Sequence, residues 1–253
     1  MIRLKSQEEI EILKEGGRRL SSILWKVAEV AKPGVKTSEL DDLAFSLIKK
    51  GGDKPAFLNY RPEGSRLSYP ATLCVSVNEE IVHGIPGPRV LLEGDVVSLD
   101  LGLEHQGLFT DMAITIPAGK VDREKIELIK IVKEALAIGI KSIKPGGRIG
   151  DIGAAIQKYV EKNGLNVVKE LAGHGVGFAP HEDPFIPNYG QAGTGEKIKP
   201  GMVLAIEPMV TTGSGRIRLE RDGFTFTTKE GVLATHFEKT VAVTERGVII
   251  LTK

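Results

Sequence analysis

The chain has 253 residues, of which 41% are hydrophobic and 26% are charged, proportions that are ordinary for a globular protein with a sizeable core. With 34 basic and 33 acidic residues, the net charge of +1 gives no general attraction to nucleic acid or anionic membranes. A single cysteine, Cys74, excludes an intrachain disulfide, and no apolar run is long enough to span a membrane. The charged N-terminal residues lack the apolar segment of a signal peptide, so we expect a cytoplasmic protein.

The first half of the chain begins with two helical patterns. Ser6-x-x-Glu9 has the spacing of a capping box, and the apolar periodicity that follows predicts a helix over 7–31. A second helix is predicted over 38–50, and the Pro- and Gly-rich segment 53–71 predicts a loop. Apolar runs then predict strands at 72–77, 96–101 and 112–116.

The second half repeats this organisation. Helical patterns cover 125–142 and 151–163, and the Gly-rich remainder contains β-type runs at 202–206, 225–228 and 239–243. The Lys-Pro-Gly turn at 32–34 recurs at 144–146, and the run that ends at Asp100 resembles the run that ends at Glu207. We therefore predict an α+β protein in which one domain, 1–253, contains two similar halves that meet near 120–125.

Two carboxylates of the first half are candidate metal ligands. Asp100 ends an apolar strand, and Asp111 lies eleven residues further on, just before another apolar run. A hairpin through 104–107 would bring them together, where they would repel each other unless a cation lies between them. The alternative is that both acids flank exposed turns, where acids are common.

The second half supplies a companion pair of acids. Glu207 directly follows an apolar run, and Glu238 stands at the head of a β-type run. If the two halves pack about an approximate two-fold axis, the acids at the ends of equivalent strands can approach the same point. The alternative for Glu238 is an edge-strand charge paired with Lys239.

A histidine among alternating glycines, His174, is the candidate nitrogen ligand. The surrounding Gly-rich stretch is neither a P-loop nor a dinucleotide motif, because it lacks the Gly-Lys-Ser/Thr sequence and the strand–helix frame. Its glycines would let other backbone or a ligand approach closely. His181 follows seven residues later, so a regular strand would place the two histidines on opposite faces, although Gly177 and Pro180 could bend the chain.

Together these side chains predict a site for two divalent cations, whose charge four carboxylates would balance. A water bridging two such ions loses a proton near neutral pH and becomes a nucleophile. Ligands that are mostly oxygen, with one nitrogen, suit Mn, Fe(II), Co or Zn. The predicted metal ligands are Asp100, Asp111, His174, Glu207 and Glu238.

In this order the five residues resemble the ligand pattern of the pita-bread metallopeptidases, and most closely that of type I methionine aminopeptidases. The stretches 75–86, 173–177 with His181 and Glu182, and 201–209 carry the resemblance, which extends over essentially the whole chain. It implies a pita-bread fold, with two pseudo-symmetric halves and a central antiparallel sheet covered by helices. It also implies a monomer that removes the initiator methionine from nascent chains near the ribosome, preferring a small second residue.

The resemblance also implies roles for the metal ligands. Asp111 and Glu238 would bridge two metal ions, Asp100 would chelate one of them, and His174 and Glu207 would bind the other. Glu207 would also handle the proton of the attacking water.

Other residues are implied to bind substrate. His83 and His181 would position the scissile peptide and stabilise charge on its carbonyl. Tyr69 and Cys74 would line the methionine pocket, and Phe224 stands where some members have Trp. His105 and His236 match no family role and are interpreted as ordinary residues. The segment 59–68 is longer than in compact members, which leaves the position of Tyr60 open, and Lys239 replaces a histidine found in many of them.

Three rival functions remain open at this point. An Xaa-Pro peptidase or a creatinase-like hydrolase of the same superfamily would be expected to carry an additional N-terminal domain, for which 253 residues leave no space. A non-catalytic binding protein would be favoured by the loss of any metal ligand. All five predicted ligands are present, which favours the aminopeptidase.

Overall fold

The computed structural model describes residues 1–61 and 67–253, and this part of the chain forms four helices and fifteen strands. The helices are α1 Gln7–Val30, α2 Thr37–Lys50, α3 Arg123–Ser142 and α4 Ile149–Lys162. The strands of the first half are β1 Lys54–Pro55, β2 Leu73–Val77, β3 Glu80–Val82, β4 Asp95–His105 and β5 Leu108–Ala118. Those of the second half are β6 Asn166–Val167, β7 Ala172–Gly175, β8 Glu182–Pro187, β9 Val203–Ile206, β10 Met209–Thr211, β11 Ile217–Leu219, β12 Phe226–Thr228, β13 Ala234–His236, β14 Lys239–Thr244 and β15 Gly247–Ile250.

The predicted capping box begins α1. The Ser6 hydroxyl accepts a hydrogen bond from the Glu9 backbone N–H (3.2 Å), and the Glu9 carboxylate accepts one from the Ser6 N–H (2.7 Å). The apolar stripe of α1 is buried and packs against β4 and β5. All four predicted helices are confirmed, with ends that differ from the predictions by at most two residues.

The β4–β5 hairpin is the centre of the first half. Its two-residue turn, Gln106-Gly107, has positive φ at both positions (51° and 83°), as a type I′ turn requires. Both strands extend well beyond the predicted 96–101 and 112–116. The register places Asp100 opposite Ala113, and Asp111 opposite Gly102.

The second half has a comparable arrangement around the five-stranded sheet β15-β14-β9-β7-β8. Helices α3 and α4 pack on each other, and they contact β9 and β8, much as α1 and α2 contact β4 and β2. Helices α2 and α4 each contain 14 residues and follow the repeated Pro-Gly turn. A domain that spans 1–253, with halves that meet near 120–125, stays a prediction.

Backbone hydrogen bonds join the two halves. Ala113 N–H donates to the Glu238 carbonyl (3.4 Å), and Glu238 N–H donates to the Ala113 carbonyl (2.9 Å). The segment 53–71 includes the short strand β1, so the predicted loop is only partly correct, and residues 62–66 lie outside the described part of the chain. Within the described residues, no helix combines the length and apolar character needed to cross a bilayer.

Candidate metal centre

Strand register places the predicted acids on one face of the joined sheets. Asp111 lies two residues from Ala113, the partner of Asp100, so Asp100 and Asp111 are diagonal neighbours on the same face. Glu238 pairs with Ala113 across the junction and therefore shares that face. The last residue pair of the β9–β14 ladder is Ile206 with Lys239. Glu207 directly follows Ile206 and Glu238 directly precedes Lys239, so the two glutamates face each other just beyond this ladder.

His174 enters the site from β7, where it lies opposite Ala205. Its Nδ1 is 2.9 Å from the Gly175 carbonyl, which can only accept, so Nδ1 carries the ring proton. The lone pair of Nε2 is therefore free. Nε2 lies 3.4 Å from Glu207 Oε1 and 3.9 Å from Glu238 Oε1, which is the environment a metal-binding imidazole needs.

The glycines on either side of His174 allow other backbone segments to approach. A Cβ on Gly173 would lie 2.4 Å from the Ala205 carbonyl oxygen, and one on Gly175 would lie 2.1 Å from the Asp183 carbonyl oxygen. These distances are too short for any side chain. The bend after β7 also brings His181 back, so that its ring centroid lies 4.4 Å from that of His174.

All four acids are buried, which contradicts the alternatives drawn from the sequence. The exposed fractions of Asp111 and Glu238 are 3% and 2%, so neither residue is a turn or edge-strand charge, and Asp100 and Glu207 are nearly as buried. Among the described residues, Glu238 makes no ion pair with Lys239, whose amine instead lies 3.8 Å from Met112 Sδ. Four acids buried together require a compensating charge.

The pKa shifts of the four acids also indicate that a compensating positive charge is needed. Burial raises the pKa of Asp111 and Glu238 well above the usual range, and the neighbouring carboxylates raise it further. Burial also raises the pKa of Glu207, and it raises that of Asp100 to about 6, against an opposing effect of His236. A divalent cation among these groups would stabilise their charged forms.

Unpartnered polar atoms indicate that the residues fit a divalent cation. Within the described ranges, the buried atoms Asp100 Oδ1 and Glu238 Oε1 have no hydrogen-bond partner. Two groups of three residues each offer ligand atoms that all lie within 4.8 Å of one another. One group is Asp111, His174 and Glu238, and the other is Glu207, His236 and Glu238. Carboxylate oxygens with imidazole nitrogen are donors suited to first-row divalent metals.

The cluster of candidate metal ligands opens into a pocket with aromatic walls. The Tyr69 and Phe224 rings pack edge to face with centroids 5.4 Å apart, and the Tyr69 hydroxyl lies 3.0 Å from the Gly84 carbonyl, to which it donates. All ten predicted site residues line this pocket, together with Phe57 and Tyr60. The ten are Tyr69, Cys74, His83, Asp100, Asp111, His174, His181, Glu207, Phe224 and Glu238.

His83 has a left-handed backbone (φ 60°), a conformation that costs energy in a residue other than glycine. The next residue holds it there, because the Gly84 N–H donates to the Ser76 hydroxyl and the Gly84 carbonyl accepts from the Val75 N–H (2.8 Å). Desolvation and the nearby His181 lower the pKa of His83 to about 4, so its imidazole is neutral at physiological pH.

Three residues of the site have no role assigned from the sequence. Phe57 and Tyr60 line the pocket, and the Tyr60 hydroxyl is 3.1 Å from His181 Nδ1. His236 was interpreted as ordinary, but its Nε2 lies 3.2 Å from Glu207 Oε2. Its position two residues before Glu238, on the same face of the chain, was the available signal.

Comparison with known proteins identifies the family. The profile of metallopeptidase family M24 matches residues 11–245. The chain belongs to this family. Methionine aminopeptidase 1 of Bacillus subtilis is 44% identical over 253 residues, with both chains fully covered. The methionine aminopeptidase of Aquifex aeolicus is 44% identical over 256 residues, covering 100% of this chain and 99% of its own.

Solved structures give the same result for the fold. The crystal structure of methionine aminopeptidase from Thermotoga maritima superposes with a TM-score of 0.95 at 45% identity, and both chains are fully covered. Prolidase from Pyrococcus furiosus shares the fold alone, with a TM-score of 0.78 at 24% identity over 99% of this chain and 65% of its own. The predicted α+β pita-bread fold and the resemblance to methionine aminopeptidases are confirmed, and the family is one of metal-dependent peptidases.

Proposed function

We propose that this protein removes the initiator methionine from nascent proteins and peptides, preferring a small second residue. The observation that carries the proposal is that the five metal-ligand candidates and a set of aromatic side chains line the same pocket. An unbranched thioether is recognised mainly by burial and shape, so such a pocket suits methionine. The names of the relatives at 44–45% identity support the same substrate.

Each metal ligand has a proposed role in holding two divalent ions, of Co, Mn, Fe(II) or Zn. Asp111 and Glu238 would contribute to the binding of both ions, Asp100 to one, and His174 and Glu207 to the other. Two such cations, when bound, would supply the Lewis acidity that makes water a nucleophile near neutral pH. Glu207 would accept a proton from the water that attacks the first peptide bond.

The remaining polar side chains act on the substrate carbonyl. His83 and His181 stand at the opening of the metal centre, where they can donate hydrogen bonds to the scissile carbonyl as it gains negative charge. Both imidazoles are neutral at pH 7, because desolvation lowers each pKa to about 4. A neutral imidazole still carries one N–H donor.

The tautomer of His181 depends on Tyr60 in this mechanism. If the Tyr60 hydroxyl donates to Nδ1, the ring proton of His181 lies on Nε2 and is available to the substrate. Tyr60→Phe is therefore expected to lower kcat about 3- to 10-fold, as loss of one net hydrogen bond of about 1 kcal/mol implies, with KM little changed. Steady-state kinetics would measure this, and unchanged kcat would show that the hydroxyl does not position His181.

Phe224 is proposed to determine specificity in the methionine pocket. Phe224→Ala removes the edge-to-face contact with Tyr69 and widens the pocket, at a cost of about 1–3 kcal/mol in substrate binding. We expect KM for methionyl peptides to rise about 5- to 150-fold, with a smaller change in kcat. Phe224→Tyr, which keeps the aromatic ring, is the matched control, and equal kinetics for the Ala variant and wild type would show that Phe224 does not contribute to methionine recognition.

One peptide competition experiment tests the function. Metal-stripped protein, resupplied with Co(II) or Mn(II), is incubated with Met-Ala-Ser, Met-Lys-Ser and Ala-Pro-Ser peptides and analysed by mass spectrometry. Metal-dependent loss of methionine from Met-Ala-Ser alone is the expected result. Cleavage of Ala-Pro-Ser would instead indicate a proline-specific peptidase, and no cleavage with either metal would favour a non-catalytic binding protein.

The cellular setting follows from the proposed substrate. The protein would act in the cytoplasm on nascent chains close to the ribosome, without binding nucleic acid or membrane itself. We propose that it acts as a monomer of one domain, as the resemblance to type I methionine aminopeptidases implies. Light scattering of the purified protein would check this, and a mass of 27.3 kDa is expected.

A further inference from the structure

His236 is a buried histidine with a fixed position beside the metal centre. Only 1% of the residue is exposed. It ends β13, where its backbone pairs with Met209 of β10. The Thr115 hydroxyl also binds it twice, because that oxygen donates to the His236 carbonyl (2.6 Å) and accepts from the His236 N–H (3.1 Å). The backbone of His236 is therefore held from two sides, by β10 and by Thr115.

The ring of His236 is directed at the two glutamates of the site. Its Nε2 lies 3.2 Å from Glu207 Oε2 and 4.0 Å from Glu238 Oε2. The contact with Glu207 is within hydrogen-bonding distance, but the N–H is not aligned with the oxygen. A rotation of the carboxylate or of the ring is needed to align them.

The two oxygens of the Glu207 carboxylate therefore have different neighbours. Oε1 lies 3.4 Å from Nε2 of His174, whose lone pair is free, whereas Oε2 lies beside His236. A metal ion shared by His174 and Glu207 would be bound by Oε1. Oε2 is then the oxygen that needs a hydrogen-bond donor.

The surroundings of the ring identify which nitrogen carries the proton. A neutral imidazole has one N–H. In the described part of the chain neither ring nitrogen has a hydrogen-bond partner, and only Nε2 has carboxylate oxygens within 4.0 Å. A proton on Nε2 is stabilised by these oxygens, whereas a proton on Nδ1 would be buried without an acceptor.

We propose that His236 is a positioning residue that donates a hydrogen bond from Nε2 to Oε2 of Glu207 and thereby presents Oε1 to the metal ion. The proposal rests on the metal site proposed above and adds a residue that the resemblance did not assign. Metal-binding carboxylates are themselves held by hydrogen bonds, and loss of such a partner typically weakens metal affinity or activity about 10- to 100-fold.

The variants His236→Gln and His236→Leu separate a donor from a direct metal ligand. A glutamine amide can donate a similar hydrogen bond but has no imidazole nitrogen and offers only a carbonyl oxygen to a metal ion, and leucine has neither group. We expect the Leu variant to bind Mn(II) about 10- to 100-fold more weakly in isothermal titration calorimetry, and the Gln variant to stay within about 3-fold of wild type.

His105→Gln is the matched control. His105 is also buried, but its Nδ1 lies 2.7 Å from Asp53 Oδ1, away from the pocket. The Mn(II) affinity of the His105→Gln protein should therefore equal that of wild type. Wild-type affinity in His236→Leu would overturn the proposal. Equal losses in the Gln and Leu variants would also overturn it, because they would make His236 a ligand. A wild-type protein that binds no metal would instead overturn the proposed function itself.

A measurement on the wild-type protein avoids any folding defect of the variants. Long-range ¹H–¹⁵N NMR spectra of the Zn(II)-loaded protein distinguish the two neutral imidazole tautomers and metal-bound nitrogen, and the His236→Gln spectrum assigns the signal. We expect His236 to be the Nε2–H tautomer with Zn(II) bound. A proton on Nδ1, or a zinc-shifted Nε2 signal, would overturn the proposal.

Discussion

Replacing Asp111 by Asn is expected to abolish peptidase activity and to release metal, because this carboxylate is proposed to hold both ions. Loss of Lewis-acid stabilisation worth several kcal/mol corresponds to a fall in kcat of about 10³-fold or more. Peptide turnover and metal content of the dialysed protein measure the two effects. Glu238→Gln should behave in the same way, because Glu238 joins Asp111 at the junction of the sheets.

The same substitution is expected to stabilise the metal-free protein. Burial and the neighbouring Asp100 and Glu207 raise the pKa of Asp111 above its value in the unfolded chain. The folded state therefore binds more protons, and stability falls as the pH rises through the interval between the two pKa values. Asparagine cannot ionise, so the variant does not undergo this loss of stability. The metal-free Asp111→Asn protein should therefore have a higher Tm than metal-free wild type at pH 7.

Asp95→Asn is the matched control for both measurements. Asp95 is another buried acid on β4, but its carboxylate accepts hydrogen bonds from the Asn78 amide and the Leu92 N–H (both 2.8 Å). Its replacement should lower Tm and leave metal binding intact. Normal turnover by Asp111→Asn, or metal content equal to that of the Asp95 variant, would remove Asp111 from the ligand set.

Local sequence signals were sufficient for the elements that form from neighbouring residues. The capping box at Ser6 and Glu9 predicted the start of α1 because both hydrogen bonds are made within one helical turn. The hairpin through 104–107 was also predictable, because the chain reverses within two residues and Gly107 accepts a positive φ. Elements of this kind depend little on tertiary contacts.

Elements that depend on distant partners could not be predicted in the same way. Strand β6 has only two residues, and it pairs with β10, which lies more than 40 residues further along the chain. In this pair Val167 lies opposite Val210. So short a segment shows no periodicity. The extension of β4 to His105 was missed for a related reason, since His105 is stabilised by a contact with Asp53 rather than by an apolar pattern.

The residues of the candidate site also separate into those that local sequence predicts and those that depend on distant contacts. Acids that directly follow apolar runs, such as Asp100 and Glu207, were recognisable because a charge at a buried strand end needs a reason. His236 was not, because its contact with Glu207 depends on how β13 lies against β10 and Thr115. Tyr60 was uncertain because the longer segment 59–68 leaves its position open in sequence comparison.

His83→Ala is expected to have the second largest effect on activity. The left-handed backbone at His83 is held by its neighbours, so the imidazole is presented to the pocket at an energetic cost that packing elsewhere offsets. Loss of a donor to the developing oxyanion typically lowers kcat about 10²- to 10³-fold. His83→Gln keeps an N–H donor and should retain more activity, while metal content should equal that of wild type in both variants.

The pH dependence of these variants separates this role from that of a general acid or base. With its pKa lowered to about 4, His83 stays neutral as the pH falls from 8 to 5, and it gains a proton only as the pH approaches 4. The decrease of kcat as the pH falls from 8 to 5 (the acid limb of the profile) should therefore be the same in wild type and in His83→Gln. If the limb disappears in the variant, His83 titrates during turnover and its proposed role as a neutral hydrogen-bond donor is wrong.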